Sequence, residues 1–311
     1  MIYLKIYGRI GNQLFMYAAA KMAQKLSGRN QEIVIEDYCN RSYEPGDPDN
    51  LMYQNSLIHY PLENTRFVNS NSEFRTFRML KQRICLRQII KTEDGMSPRE
   101  AYNFERTHQK LFSRFGVIRQ QNGYVDLPRH YGRDTYISGY FQSEKFFEPI
   151  KDEIINLYSL KDDVDKSGYP NLDDIRGRNT VCISAKVQHN VGNPVYNVCN
   201  DGYYKRAIDY ITERIENPLF FICSDNVEYV RDNLIDSSKY DTVFQDSGFP
   251  VHISLAVMAQ CKHFIIGNTS YGWWAQYLSR NEDKIVVAPS RWYGVDIPCD
   301  IYQDNWQLIE V

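Results

Sequence analysis

The sequence predicts an α/β chain of two Rossmann-like domains, each built on a parallel sheet. Three observations carry this. Short, almost continuously apolar runs alternate with segments of helical spacing through the second half. The N-terminus opens as strand, tight turn, helix. A length of 311 residues fits about two domains of ordinary size.

Taken in order, residues 1–7 read as a strand, Gly8-Arg9-Ile10-Gly11-Asn12 as a tight turn, and 13–26 as a helix ending near Ser27-Gly28. A second strand, 32–36, follows. The Pro-, Gly- and Asp-rich stretch 43–50 reads as loop. Helical spacing returns over 74–90, strand character over 134–140, and a helix is expected from Ser143 to about Leu157. The stretch 161–178, with five Asp, two Gly and a Pro, is the linker candidate, so the domains divide as 1–160 and 161–311. Beyond it, strands are expected at 180–184, 219–223, 241–244, 263–266 and 284–288, and helices at 202–214, 227–234, 252–261 and 271–278. Buried strands alternating with amphipathic helices indicate a parallel sheet covered on both faces.

Hydrophobic residues make up 43% and charged residues 24% of the chain, ordinary for a globular protein. The net charge of -3 argues against a protein built around nucleic-acid phosphates, which calls for a basic excess. The 24 Tyr offer faces and hydroxyls that suit sugar rings, although most serve as ordinary core and surface aromatics. Seven Cys, an odd number without C-x-x-C spacing, fit a reducing compartment better than a disulfide framework or structural zinc. The opening residues are too short and interrupted for a signal peptide, and no apolar window reaches bilayer length. The expected location is cytoplasmic.

Glycine at positions 8 and 11 permits close backbone approach, and the helix that follows presents free N–H groups to an anion. Arg9, Gly11 and Asn12 are therefore donor-side candidates. Gly8-x-x-Gly11 is not the G-x-G-x-x-G dinucleotide fingerprint, and alone it specifies only a tight turn. The full run Gly8-Arg9-Ile10-Gly11-Asn12-Gln13-Leu14-Phe15-Met16-Tyr17-Ala18 says more. It resembles the G-G-L-G-N-Q-x-F-x-Y-A opening of the bacterial α-1,2-fucosyltransferases, glycosyltransferase family 11. Further matches follow in order. Gly139-Tyr140-Phe141-Gln142-Ser143-Glu144-Lys145-Phe146-Phe147 resembles G-Y-W-Q-S-E-K-Y-F, and Phe220-Phe221-Ile222-Cys223-Ser224-Asp225 resembles F-F-x-F-S-D-D. Ile265-Ile266-Gly267-Asn268-Thr269-Ser270-Tyr271-Gly272-Trp273-Trp274 resembles I-I-A-N-S-T-F-S-W-W, with Ala288-Pro289-Ser290-Arg291-Trp292-Tyr293 after it. Residues 45–130 match least.

The resemblance implies a GT-B-like fold, two Rossmann-like domains facing a central cleft, with the acceptor on the side of domain 1–160 and the nucleotide sugar on the side of 161–311. It also implies inverting, metal-independent transfer of fucose from GDP-fucose to a galactose-type hydroxyl of a surface glycan, on an oligosaccharide or lipid-linked acceptor. No cofactor is expected beyond the donor substrate. Charge building on the departing diphosphate then has to be met by cations, hydroxyls and helix N-termini. The family motif H-x-R-R-x-D is altered: Ser184 stands for the His, Lys186 for the first Arg, Val187 for the second and His189 for the Asp. Lys186 keeps a charge without the bidentate fork, so a changed donor or lost activity is the alternative within the family. His189 is the catalytic candidate, since an imidazole accepts a proton near neutral pH; the other reading is an exposed loop residue.

Ser224, Asp225 and Asn226 follow a parallel strand, where nucleotides bind in such sheets. Asp225 either accepts two hydrogen bonds from guanine or caps the next helix. Asn268, Thr269 and Ser270 stand between strand and helix, where hydroxyls and N–H groups can meet phosphate. Trp273 and Trp274 read as core. The D-x-D strings Asp47-Pro48-Asp49 and Asp163-Val164-Asp165 follow no strong strand and are not expected to hold a metal. A dinucleotide-dependent oxidoreductase and a non-enzymatic glycan-binding protein are the rival classes. Residues 74–91 carry six basic side chains and no acid, so this helix either lies solvated on the first domain or makes a peripheral contact with the inner membrane face.

Overall fold

The computed structural model describes residues 1–37, 54–69, 79–128, 134–159, 172–245 and 248–311. The chain forms two compact units, Met1–Leu157 with Asp296–Tyr302, and Tyr158–Val295 with Gln303–Val311. The stretch 296–302 thus counts with the first unit although it lies late in the chain.

The first unit is built on β1 (Ile2–Ile6), β2 (Ile33–Asp37), β3 (Thr65–Asn69), β4 (Val117–Gln120) and β5 (Thr135–Gly139). These strands pair in the order β3-β2-β1-β5-β4, and every pairing is parallel. Parallel strands need crossovers, supplied in part by α1 (Ile10–Leu26), α2 (Leu80–Glu93) and α3 (Pro98–Arg114). α1 begins three residues earlier than the sequence pattern suggests. Gly8 takes φ +75°, a left-handed backbone that glycine adopts without cost, so the chain turns into helix at once. α2 runs to Glu93, and residues 74–78 of the expected helix lie outside the described residues. α3, β3 and β4 fall in the stretch the sequence reading left unassigned. α3 is closed by a capping box, with Ser97 and Glu100 each satisfying the other's backbone N–H. The helix expected from Ser143 is instead two short 3-10 turns, Glu144–Phe146 and Glu148–Ile150, followed by α4 (Lys151–Tyr158). Pro149 has no N–H to give an α-helical interior.

The second unit carries β6 (Thr180–Ala185), β7 (Leu219–Ser224), β8 (Asp241–Phe244), β9 (His263–Ile266), β10 (Val286–Pro289) and β11 (Gln307–Ile309). Their order is β11-β10-β9-β6-β7-β8, again all parallel. Around them stand α5 (Leu172–Gly177), α6 (Asp201–Thr212), α7 (Val227–Asn233), α8 (Val251–Met258) and α9 (Ser270–Leu278). α5 lies where a linker was expected, and β11 extends the sheet beyond the five anticipated strands. Every residue of β6 is buried, as a central strand with helices on both faces requires. Val181, Ile183, Phe220, Ile222 and Ile265 pack against Tyr203, Ala207 and Ile211 of α6. Each such large apolar side chain contributes about 1.5–3 kcal/mol by leaving water. Trp273 and Trp274 are fully buried, in line with their reading as core. Two parallel sheets, each served by crossover helices, make this an α/β chain of GT-B type.

Candidate functional site

Register brings the three expected loops of the second unit together. β6 lies between β9 and β7, with Ser184 opposite Ile266 and Ala185 opposite Ser224. The segments that leave the C-terminal ends of these strands, 186–190, 225–226 and 267–269, are therefore neighbours. Ligands of open α/β sheets bind at this edge.

Asp225 is the hub. Its carboxylate accepts the backbone N–H of Val187 at 2.8 Å, of Gln188 at 3.3 Å and of His189 at 2.8 Å. Three successive main-chain donors converging on one carboxylate form an anion nest, filled here by a side chain of the protein. The cap of α7 is the neighbouring Asn226, which accepts from the Tyr229 N–H at 2.9 Å. Of the two roles expected for Asp225, capping belongs to Asn226, and the carboxylate braces the loop that carries Lys186 and His189. The Ser224 hydroxyl accepts the Asn226 N–H at 3.1 Å and completes the turn.

Lys186 is half-buried and His189 exposed. The Lys186 N–H points to the hydroxyl of the buried Tyr204 at 3.4 Å. Burial, before all else, holds the Tyr204 phenol well above its usual pKa, so it stays a neutral hydroxyl at this strand end. Ser184 is buried, and a Cβ built at Gly272 would lie 2.8 Å from its Oγ. The first turn of α9 thus presses on Ser184, a contact only glycine allows. The position expected to face the donor is a packing position, because β6 turns that side chain under α9.

Asn268 also differs from expectation. Its amide donates to the carbonyls of Tyr196 and Trp292, both at 3.0 Å, and accepts from the Cys199 thiol at 3.4 Å. The side chain is spent tying two loops to the strand end, so its bearing on a donor is through loop position. Burial pushes the Cys199 thiol up to about 12, which keeps it protonated and donating. Thr269 caps α9 through the Gly272 N–H at 3.0 Å. Ser270, half-buried, opens that helix.

Arg9, Gly11 and Asn12 lie in the first unit at the head of α1. Arg9 occupies the N-cap position, Gly11 is buried, and the Asn12 Oδ1 accepts from Gln142 at 2.8 Å. Gln13 was not singled out by the sequence reading, yet it locks this turn. Its buried amide donates to the carbonyls of Gly8 (2.8 Å) and Gln54 (2.9 Å) and accepts from the Ser56 N–H (2.8 Å).

A second polar centre that the sequence did not reveal lies in the first unit, around β4. Arg119 on β4 pairs with Glu93 at 2.7 Å, approaches Glu105 at 3.5 Å and donates to Ser138 at 3.1 Å. Glu105 accepts the Gln121 N–H through both oxygens, at 3.1 and 3.0 Å. The Gln121 amide accepts from the Arg119 guanidinium at 2.9 Å and donates to the Tyr7 hydroxyl at 3.1 Å. Tyr7 in turn packs edge-on against Tyr140. Burial chiefly pushes Glu105 up to about 8: two buried carboxylates share one guanidinium, so the cluster retains a proton.

The chain matches the family model described as Glycosyl transferase family 11 over residues 1–310. It belongs to that family. The transferase is 24% identical to the O-antigen biosynthesis glycosyltransferase WbnK of Escherichia coli, over 98% of this chain and 99% of that protein. It is also 24% identical to an alpha-1,2-colitosyltransferase of Escherichia coli, over 94% and 92% respectively. Galactoside alpha-(1,2)-fucosyltransferase 1 of Saimiri sciureus shares 30% identity across 49% of this chain and 44% of its own length. Among solved structures, the NodZ alpha-1,6-fucosyltransferase soaked with GDP-fucose matches in fold, with a TM-score of 0.50, 14% identity, and coverage of 89% of this chain and 91% of that one.

The chain is therefore a glycosyltransferase related to α-1,2-fucosyl- and colitosyltransferases, a class that joins a nucleotide-sugar donor to a glycan acceptor. Among the described residues no group of three or more His, Cys, Asp or Glu side chains is arranged to hold a metal. Both D-x-D strings lie outside the described residues. No described helix is long and apolar enough to cross a membrane.

Proposed function

We propose that the transferase binds a GDP-sugar at the C-terminal edge of its second sheet and transfers the sugar, fucose in the first instance, to a galactose-type hydroxyl with inversion. The observation that carries this is the convergence of the Lys186 loop, the Asp225 brace and the head of α9 on one strand-end edge. Lys186 supplies a cation and α9 the positive end of a helix dipole, both suited to a diphosphate. In the reaction the acceptor hydroxyl oxygen bonds to the anomeric carbon opposite the leaving group. The bond from that carbon to the phosphate oxygen breaks, and GDP departs with the electron pair. The hydroxyl proton passes to the His189 imidazole. Lys186, Ser270, Thr269 and the main-chain donors of α9 meet the charge on GDP, so no metal is required. The same reading places the enzyme in the cytoplasm, attached peripherally to the inner membrane face through residues 74–91, and building a surface glycan.

One observation favours a second reading. Ser184 is buried, and Val187 offers this edge only its N–H, already given to Asp225. The arginine pair of the family pattern is thus reduced to Lys186, which suits a changed donor or a chain that binds without turnover. Titration with GDP, UDP and NAD, followed by transfer assays with fucosyl and colitosyl donors, separates these readings. Lys186→Ala should weaken GDP by about 1.5–3 kcal/mol through loss of a charge-assisted hydrogen bond. Unchanged affinity in that variant would remove Lys186 from the donor site.

A further inference from the structure

We propose that α2 and α3 together form a docking face for an anionic lipid surface. This rests on the peripheral-membrane part of the reading above, and it is independent of which donor is bound. Each helix buries only a narrow stripe, Leu86 and Ile89 on α2 and Glu105, Gln109 and Phe112 on α3. Each also carries a second apolar stripe that faces out. Leu80 is 48% exposed, Ile84 53%, Leu111 47% and Phe115 42%. These four side chains wall a groove of about 710 Å³ whose floor includes Ile89 and Phe112.

Lys81 is the charged side chain that lines the groove, and further basic residues stand elsewhere on the same two helices. Lys81, Arg87 and Lys91 on α2, and Arg106, Lys110 and Arg114 on α3, are all exposed. No acidic residue occurs between Leu80 and Thr92 or between Arg106 and Phe115. The Lys81 ammonium sits 5.1 Å from the Phe115 ring centroid, which places a cation directly on the apolar rim. Apolar side chains flanked by basic ones are the arrangement that enters the headgroup boundary of an anionic leaflet. A second copy of the chain is the poorer occupant, because two basic rims would be brought face to face. The sequence pattern showed the basic half of this face on α2, but α3 supplies the other wall.

The test is flotation of the full chain with phosphatidylcholine vesicles, with and without phosphatidylglycerol. Binding should require the anionic lipid, fall about tenfold or more on neutral vesicles and weaken with added salt. Ile84→Asn with Leu111→Asn, and separately Lys81→Glu with Arg87→Glu and Lys110→Glu, should each abolish flotation. Both variants should keep the wild-type thermal midpoint and the same transfer to an acceptor free in solution. Equal binding to neutral and anionic vesicles by the wild type would overturn the proposal, whatever the variants do. So would flotation that survives in both variants, or light scattering that shows a wild-type dimer split by the Ile84 and Leu111 changes. Failure of GDP to bind would leave the flotation result unaffected, so the two readings fail separately.

Discussion

Asp225→Ala separates a loop brace from a reader of guanine. The carboxylate holds the N–H groups of Val187 and His189 at 2.8 Å and shares that of Gln188 at 3.3 Å. A hydrogen bond to a charged acceptor contributes about 1.5–3 kcal/mol, but Gln188 and His189 are exposed, so water takes over part of what is lost. A net cost of about 1.5 kcal/mol, spent on re-ordering the loop whenever ligand binds, corresponds to roughly tenfold weaker GDP. The brace makes two specific demands. The amides of Val187 and His189 should lose hydrogen-exchange protection in the variant while the β6 strand keeps its own. In calorimetry, GDP and inosine diphosphate, which lacks the exocyclic amine, should weaken by the same factor, because the brace never touches the base. If the wild type prefers GDP strongly and Asp225→Ala erases that preference with loop protection intact, the carboxylate reads guanine and the brace argument is wrong.

Transfer activity should survive EDTA; activity lost to chelator and restored by manganese would refute cation-and-helix stabilisation of the diphosphate. His189→Ala should cut turnover about 10²-fold or more and flatten the acid limb of the pH–rate profile, whereas a wild-type rate and profile would remove it as the base. Glu105 predicts a pH dependence of stability. Its pKa, pushed up to about 8 from 4.5 chiefly by burial, means the folded state keeps a proton that the unfolded chain releases between those values. The contribution is full below pH 4.5 and is lost as pH rises through 8, at up to about 1.4 kcal/mol per pH unit. Glu105→Gln should flatten that decline in denaturant melts, and a wild-type midpoint that does not fall across the window would contradict the shared-proton cluster.

What the sequence made legible follows from how each element earns its burial. β6, β7 and β9 are buried throughout or nearly so, and they announce themselves as unbroken apolar runs. β4 hides because Val117 and Ile118 are followed by Arg119 and Gln120; Arg119 is tolerated in a strand only because Glu93 and Glu105, from two different helices, neutralise it. β3, reading Thr-Arg-Phe-Val-Asn, is half polar for another reason, since among the described residues one of its sides has no strand beside it. The loops carrying the candidate residues do lie at strand ends, because glycine, asparagine and hydroxyl residues between strand and helix advertise a turn. The jobs within those loops were not legible. The acceptors and donors that engage Asp225 and Asn268 are mainly backbone groups, identical at every position and therefore without a signature in a list of side chains. Matching side chains to a family motif credits each with direct contact, whereas here Asp225 and Asn268 shape the loops and Ser184 packs beneath one. The proposed function leaves direct contacts to Lys186, His189 and the head of α9, and on that proposal a loss confined to Lys186 should register almost undiminished in donor affinity.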